Sequence, residues 1–125
     1  MVKYKSRILC VDDERFNLKI LEDILTSCGY EVVTAHNDKE TLEILNKMKV
    51  DLILLDVIMP GVNGYDLCKF IKEDERYRNI PVVMLTALSS KEERIKSIAS
   101  GAEDFISKPF DRTELLTRIQ MLLKL

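Results

Sequence analysis

Five short apolar runs alternating with five amphipathic stretches predict an α/β domain, a doubly wound, five-stranded parallel sheet of order 2-1-3-4-5 with helices on both faces. Three observations predict it. The runs are short and mostly rich in branched residues, as strands buried on both faces must be. The stretches between them repeat apolar residues at helical spacing. The connections are short, so parallel neighbours must be joined by right-handed helical crossovers that cover both faces.

The first run is residues 8–11, ILCV. Leu18, Leu21, Leu25 and Cys28 then mark one helical face, and Gly29 supplies a C-terminal stop. Residues 32–35 (VVTA) form the second run. The helix after it carries Leu42, Leu45 and Met48 behind Asn37, a cap with Glu40 three residues on. Residues 52–55 (LILL) are the third run, followed by a face of Leu67, Phe70 and Ile71. Residues 82–85 (VVML) are the fourth. Ile95, Ile98 and Ala99 mark the next helix, capped by Ser89 or Ser90 and stopped by Gly101. The weaker pair Phe105-Ile106 is the fifth run. The last helix carries Leu115, Leu116, Ile119, Leu122 and Leu123, with Asp111 and Glu114 as a cap and its reciprocal partner. Neither a linker nor a repeat divides the chain, so residues 1–125 read as one flavodoxin-like three-layer sandwich.

Composition narrows the function. Of 125 residues 46% are apolar and 32% charged, an ordinary globular balance, and the net charge is −2 with basic residues scattered. No basic stripe points to nucleic acid, and no apolar run is long enough to span a membrane. A soluble, cytoplasmic chain is expected. Cys10, Cys28 and Cys68 lie far apart without C-x-x-C spacing, and His36 is the single histidine. A zinc site or a Cys/His pair has almost no material.

The polar residues that close the runs carry the chemistry, because ligands of such sheets bind at the carboxyl ends of the strands. The first run ends in Asp12-Asp13, the third in Asp56 and the fourth in Thr86; Ser107-Lys108-Pro109 follows the fifth. Strands one and three are neighbours in the predicted order, so three carboxylates converge. Unit charges a few ångströms apart repel by roughly 4 kcal/mol at an effective dielectric of about 20. Either one acid keeps its proton or a cation joins them. An all-oxygen set suits Mg²⁺, which leaves room for phosphate oxygens. With the Lys108 ammonium and the Thr86 hydroxyl, the set forms an acceptor site for a phosphoryl group. Each residue alone is weak evidence: an Asp pair is usually a solvated turn, and an Asp ending a strand is often a cap. Their placement at successive central strand ends is the signal.

The segments Val11-Asp12-Asp13-Glu14, Leu54-Leu55-Asp56-Val57-Ile58-Met59-Pro60-Gly61, Leu85-Thr86-Ala87 and Ser107-Lys108-Pro109-Phe110 resemble the receiver domain of bacterial two-component response regulators. The resemblance covers essentially the whole chain. It implies that Asp56 takes a phosphoryl group from a phosphohistidine on a sensor histidine kinase or phosphotransfer protein. It implies that Asp13, Asp56 and the Ile58 backbone carbonyl bind Mg²⁺ directly, with Asp12 acting mainly through a bound water. Lys108 would pair with the phosphoryl oxygens or with Asp56, and Thr86 would move toward the phosphate. Phe105 stands where the family often has tyrosine or phenylalanine and would follow Thr86 without a hydroxyl. Gly61 and Gly64 fit the turn after the acceptor strand, where backbone freedom matters.

Four further expectations follow from the resemblance. The Lys108–Pro109 peptide is cis. Ile58 and Leu88 border the path of a hydrolytic water and exclude it. Phosphorylation is read on the fourth helix, fifth strand and fifth helix, with a homodimer there as the consequence. The first helix, from Arg15-Phe16-Asn17-Leu18, and the last look similar to receivers fused to cyclic-dinucleotide enzymes, so the chain is either a stand-alone receiver or one followed by an output domain beyond Leu125. The chain is then a signalling phosphoacceptor, not an enzyme. Three other readings compete. An aspartyl-phosphate phosphohydrolase would place D-x-D after the first strand. A flavodoxin-like cofactor binder would want a phosphate-cradling loop where Asp12-Asp13-Glu14 stands. A receiver-like interaction module would act without phosphate, although every chemical residue is present here.

Overall fold

In the computed structural model, which describes residues 5–87 and 90–124 apart from the side chain of Val62, strand and helix alternate. The elements are β1 (Arg7–Val11), α1 (Arg15–Ser27), β2 (Glu31–Ala35), α2 (Asp38–Lys47), β3 (Leu52–Asp56), β4 (Ile58–Met59) and β5 (Val62–Asn63). They continue with α3 (Gly64–Glu73), β6 (Val82–Thr86), α4 (Lys91–Ala99), β7 (Asp104–Ser107) and α5 (Arg112–Leu123). The main sheet has the order β2-β1-β3-β6-β7 and every pairing is parallel. This is the predicted order, with the two-residue strands β4 and β5 standing apart as an antiparallel hairpin. So short a ladder leaves no periodic trace in a sequence. No helix among the described residues is long and apolar enough to cross a membrane.

Alternation along the strands divides the core in two. Leu9, Val11, Ile53, Leu55 and Met84 face α2 and α3, where Leu45, Leu67, Cys68 and Ile71 meet them. Ile8, Cys10, Leu52, Leu54, Val83 and Leu85 face α1 and α5, packing on Leu18, Leu21, Leu25, Leu115 and Ile119. Because both faces are covered, β3 and β6 are buried at every position. Their sequences therefore run apolar without alternating, and stop only at the carboxyl rim.

That rim is held in register by backbone bonds that continue the ladder. Asp12 N–H donates to the Ala35 carbonyl at 3.1 Å, Val57 N–H to Leu85 at 3.3 Å, and Lys108 N–H to Thr86 at 2.7 Å. Val11 pairs with Leu55, Asp56 with Leu85, and Thr86 with Ser107. The Lys108–Pro109 peptide is cis, as expected.

The caps match in part. Asn37, Ser90 and Asp111 accept from the N–H groups of Glu40, Glu93 and Glu114; Ser89 lies outside the described residues. Glu40 reaches past its cap and accepts instead from the His36 N–H at 2.7 Å, with the His36 ring at 2.9 Å. Four predicted apolar faces are corrected, the first two only at their ends, where Cys28 and Met48 are exposed. Phe70 is half exposed, and α3 buries Leu67, Cys68 and Ile71. Ile95, Ile98 and Ala99 of α4 lie outward, while the helix buries Ser97. The helix is held by Tyr65, whose hydroxyl donates to the carboxylate and carbonyl of Glu93, and by Cys68, whose thiol donates to the Ser100 carbonyl. A polar seat beneath α4 inverts the pattern from which its buried face was read.

The two glycines of the acceptor turn serve different needs. Gly61 has φ +72°, a conformation side chains resist. Gly64 has no such φ; its need is space. A Cβ there would lie 2.7 Å from both the Asp56 carbonyl oxygen and Val57 Cα. Gly64→Ala is accordingly expected to cost about 1–3 kcal/mol, the range of an overpacked core, and to lower the urea midpoint. An unchanged midpoint would show that the end of β3 gives way freely.

Candidate functional site

Burial and convergence define the site. Asp12 is 1% exposed and Asp56 8%, whereas Asp13 is exposed. One carboxylate oxygen from each lies within 4.8 Å of the others. Lys108 follows β7 and brings its Nζ to 3.1 Å from Asp12 Oδ2 and 3.5 Å from Asp56 Oδ2. Asp56 Oδ1 also accepts the Ile58 N–H at 3.3 Å. The structure thus brings together Asp12, Asp13, Asp56, Ile58 and Lys108. Thr86 closes β6 beside them, buried, with its backbone bonded to Lys108. By strand alternation Thr86 shares the face of Met84 and its partner Phe105, the face covered by α3.

Burial sets the protonation of Asp56. Three carboxylates meet one ammonium, and two of the acids are withdrawn from water. Burial pushes the Asp56 carboxyl up to about 6; Lys108 opposes the shift and Asp12 reinforces it. The donor set is carboxylate oxygen, with no histidine nitrogen or cysteine sulfur joining the three acids among the described residues. Such a set fits a small hard cation, for which Asp12, Asp13 and Asp56 offer the charge.

Two features were missed in the sequence. Asn17 donates its side-chain amide to Asp12 Oδ2 at 3.2 Å, and Glu14 its backbone N–H to Asp12 Oδ1 at 3.0 Å. Asn17 carried no signal, because it lies in the first turn of α1, where asparagine ordinarily serves the helix start. Beside the cluster a groove of about 510 Å³ runs along α1, lined by Asn17, Ile20, Ile24, Lys108 and Pro109 among others. Of the two residues expected to border a hydrolytic water, Ile58 is half exposed at the site, and Leu88 lies outside the described residues.

Comparison with known proteins adds the following. A family model, the response regulator receiver domain, matches residues 8–120. The response regulator PleD of Caulobacter vibrioides is 44% identical over 117 residues, 94% of this chain and 26% of that protein. The regulator ycf27 of Porphyra purpurea is 42% identical over 124 residues, 99% of this chain and 50% of that one. The chain spans half or less of the length of these relatives. Among solved structures, chemotaxis protein CheY4 of Vibrio cholerae superposes with TM-score 0.90 at 32% identity, covering 96% of this chain and 100% of that one. The receiver domain of sensor histidine kinase PA1611 from Pseudomonas aeruginosa superposes at 0.87 with 29% identity, over 96% and 98%. It was solved with a magnesium ion coordinated in its active site cleft.

The raised Asp56 value makes a pH-dependent prediction. The folded form holds this proton more tightly than the unfolded chain, so Asp56 subtracts stability as pH rises from about 4 through about 6. By pH 7 the deficit is on the order of 3 kcal/mol. In chelator, Asp56→Asn should therefore be more stable than the parent at pH 7, with the gap closing by pH 4. A gap of equal size at both pH values, by urea denaturation, would contradict this.

Proposed function

The chain belongs to the response regulator receiver domains, and from that premise we propose that it accepts a phosphoryl group on Asp56 and relays the event as a change of surface. The observation that carries this reading is the meeting of a buried Asp56 with Lys108 and two further carboxylates at one sheet rim. The donor is a phosphohistidine of a sensor histidine kinase or phosphotransfer protein. An Asp56 oxygen forms the new bond to phosphorus as the bond from phosphorus to the donor nitrogen breaks, and the imidazole leaves. Lys108, already 3.5 Å from Asp56, is placed to meet the charge gathering on the phosphoryl oxygens.

Asp12, Asp13, Asp56 and the Ile58 carbonyl would hold Mg²⁺, which supplies charge neutralisation at the phosphoryl oxygens when bound. The magnesium recorded in the PA1611 receiver supports the assignment. Thr86 donates its hydroxyl to the new phosphate, and Phe105, on the same face, moves into the space left behind. Ile95 and Ile98 stand exposed on α4, so a shift there changes an apolar surface that a second copy of the chain can cover. Arg118 of α5 bridges Asp104 of β7 on the neighbouring elements. The output is reached through that surface.

Incubation with acetyl phosphate and Mg²⁺ should add one acid-labile phosphoryl group per chain. Asp56→Asn, whose amide is a poor nucleophile at phosphorus, should take none, and chelation should stop the reaction in the parent. Undiminished labelling of Asp56→Asn would refute the assignment. A beryllofluoride phosphate mimic should raise the mass measured by light scattering to that of a dimer, and Ile98→Glu should prevent the increase. An unchanged mass for the parent would remove the dimer and leave the acceptor role standing.

A further inference from the structure

Asp12 is the most deeply buried charge of the site, and donors hold both its oxygens. Oδ1 takes the Glu14 N–H at 3.0 Å, while Oδ2 takes Lys108 Nζ at 3.1 Å and Asn17 Nδ2 at 3.2 Å. An ionised carboxylate only accepts hydrogen bonds, so the Asn17 amide must present its NH₂ to it. Asn17 is the third residue of α1. Near a helix start asparagine usually serves the helix, its carbonyl oxygen accepting from a backbone N–H. Here its NH₂ turns to a residue before the helix, and Asp12 itself takes the Glu14 N–H. Local helix chemistry does not account for the contact.

We propose that Asn17 is a positioning residue for the phosphoacceptor site: it secures Asp12 independently of Lys108, leaving the ammonium free to follow charge toward Asp56. Lys108 lies closer to Asp12 than to Asp56, 3.1 against 3.5 Å. When charge gathers on a phosphoryl group at Asp56, that balance shifts and the ammonium leaves Asp12. Without Asn17, a carboxylate 1% exposed would keep a single backbone donor, and a charge so stranded is costly. Lys108 would then be held back. With Asn17 in place, Asp12 retains donors on both oxygens. The inference rests on the phosphoacceptor reading above and assigns a role to a residue outside its acceptor and metal set.

Two variants test it. Asn17→Leu keeps the branched heavy-atom skeleton and removes the donor; Asn17→Gln keeps an amide. Mn²⁺ titration followed by electron paramagnetic resonance should show affinity falling about tenfold in Asn17→Leu, the scale of a lost outer hydrogen bond to a metal-binding carboxylate. Labelling by acetyl phosphate at saturating Mg²⁺ should also slow in Asn17→Leu, and Asn17→Gln should recover most of both losses. Labelling of Asn17→Leu at the parental rate under saturating Mg²⁺ would overturn the role, as would an Asn17→Gln variant as impaired as Asn17→Leu. If the parent takes no label at Asp56, the acceptor reading falls, and the Mn²⁺ titration alone decides whether Asn17 secures Asp12.

Discussion

Lys108 holds its ammonium between Asp12 and Asp56, and much of the structure is what keeping it there requires. The three residues are far apart in the chain and come from three strands. β7 lies two places from β3, roughly 10 Å at ordinary strand spacing, so the contact needs both the long stem of a lysine and a fixed strand order. Register must be fixed as well, since a slip of one residue would turn each side chain to the opposite face. The ladder bonds at Asp12, Val57 and Lys108 prevent the slip. Two packed faces hold the strands against twisting apart. A buried charge cluster is tolerable only in a frame this rigid, because loosening would strand an unpaired charge.

The opposite condition holds at α4. Its apolar residues face outward, Ser97 lies inward, and Tyr65 and Cys68 tie it to α3 by single side chains. A helix with so little buried apolar surface belongs to the low-stability end of a structure. It borders the face on which Thr86 and Phe105 lie. The molecule therefore joins a stiff site to a lightly held helix, with buried side chains between them. The proposed relay, from a local change of charge at the rim to a change of surface, would draw on that difference in rigidity.

What the sequence made legible divides along physical lines. The strands could be read because burial on both faces leaves continuous apolar runs, and the site because each run stops at a polar residue. Asp12, Asp56, Thr86 and Lys108 were visible as interruptions of a pattern. Periodicity misled at α4, where Ile95, Ile98 and Ala99 have helical spacing but face out over a polar seat that no local pattern reveals. The need for Gly64 is a close approach to Asp56 and Val57, which depends on where the chain returns. The donation from Asn17 to Asp12 is likewise tertiary: the amide belongs to a helix turn and its partner to a strand end.

Hydrogen-bond saturation favours Asp56, of three convergent carboxylates, as the proposed nucleophile. Asp12 has donors on both oxygens and is nearly closed to solvent; an oxygen so engaged offers little to an electrophile. Asp13 is exposed, and water competes for its lone pairs. Asp56 lies between these extremes. It is shielded enough for burial to push its carboxyl up to about 6, which marks an anion poorly stabilised by its surroundings. Yet it accepts one backbone N–H at 3.3 Å and a Lys108 contact at 3.5 Å, both longer than those on Asp12. Lone pairs on Asp56 remain for a bond to phosphorus, and the charge lost from its oxygen reappears on phosphoryl oxygens within reach of Lys108. The same burial, reinforced by Asp12, that disfavours the ionised resting form of Asp56 would make its carboxylate ready to react.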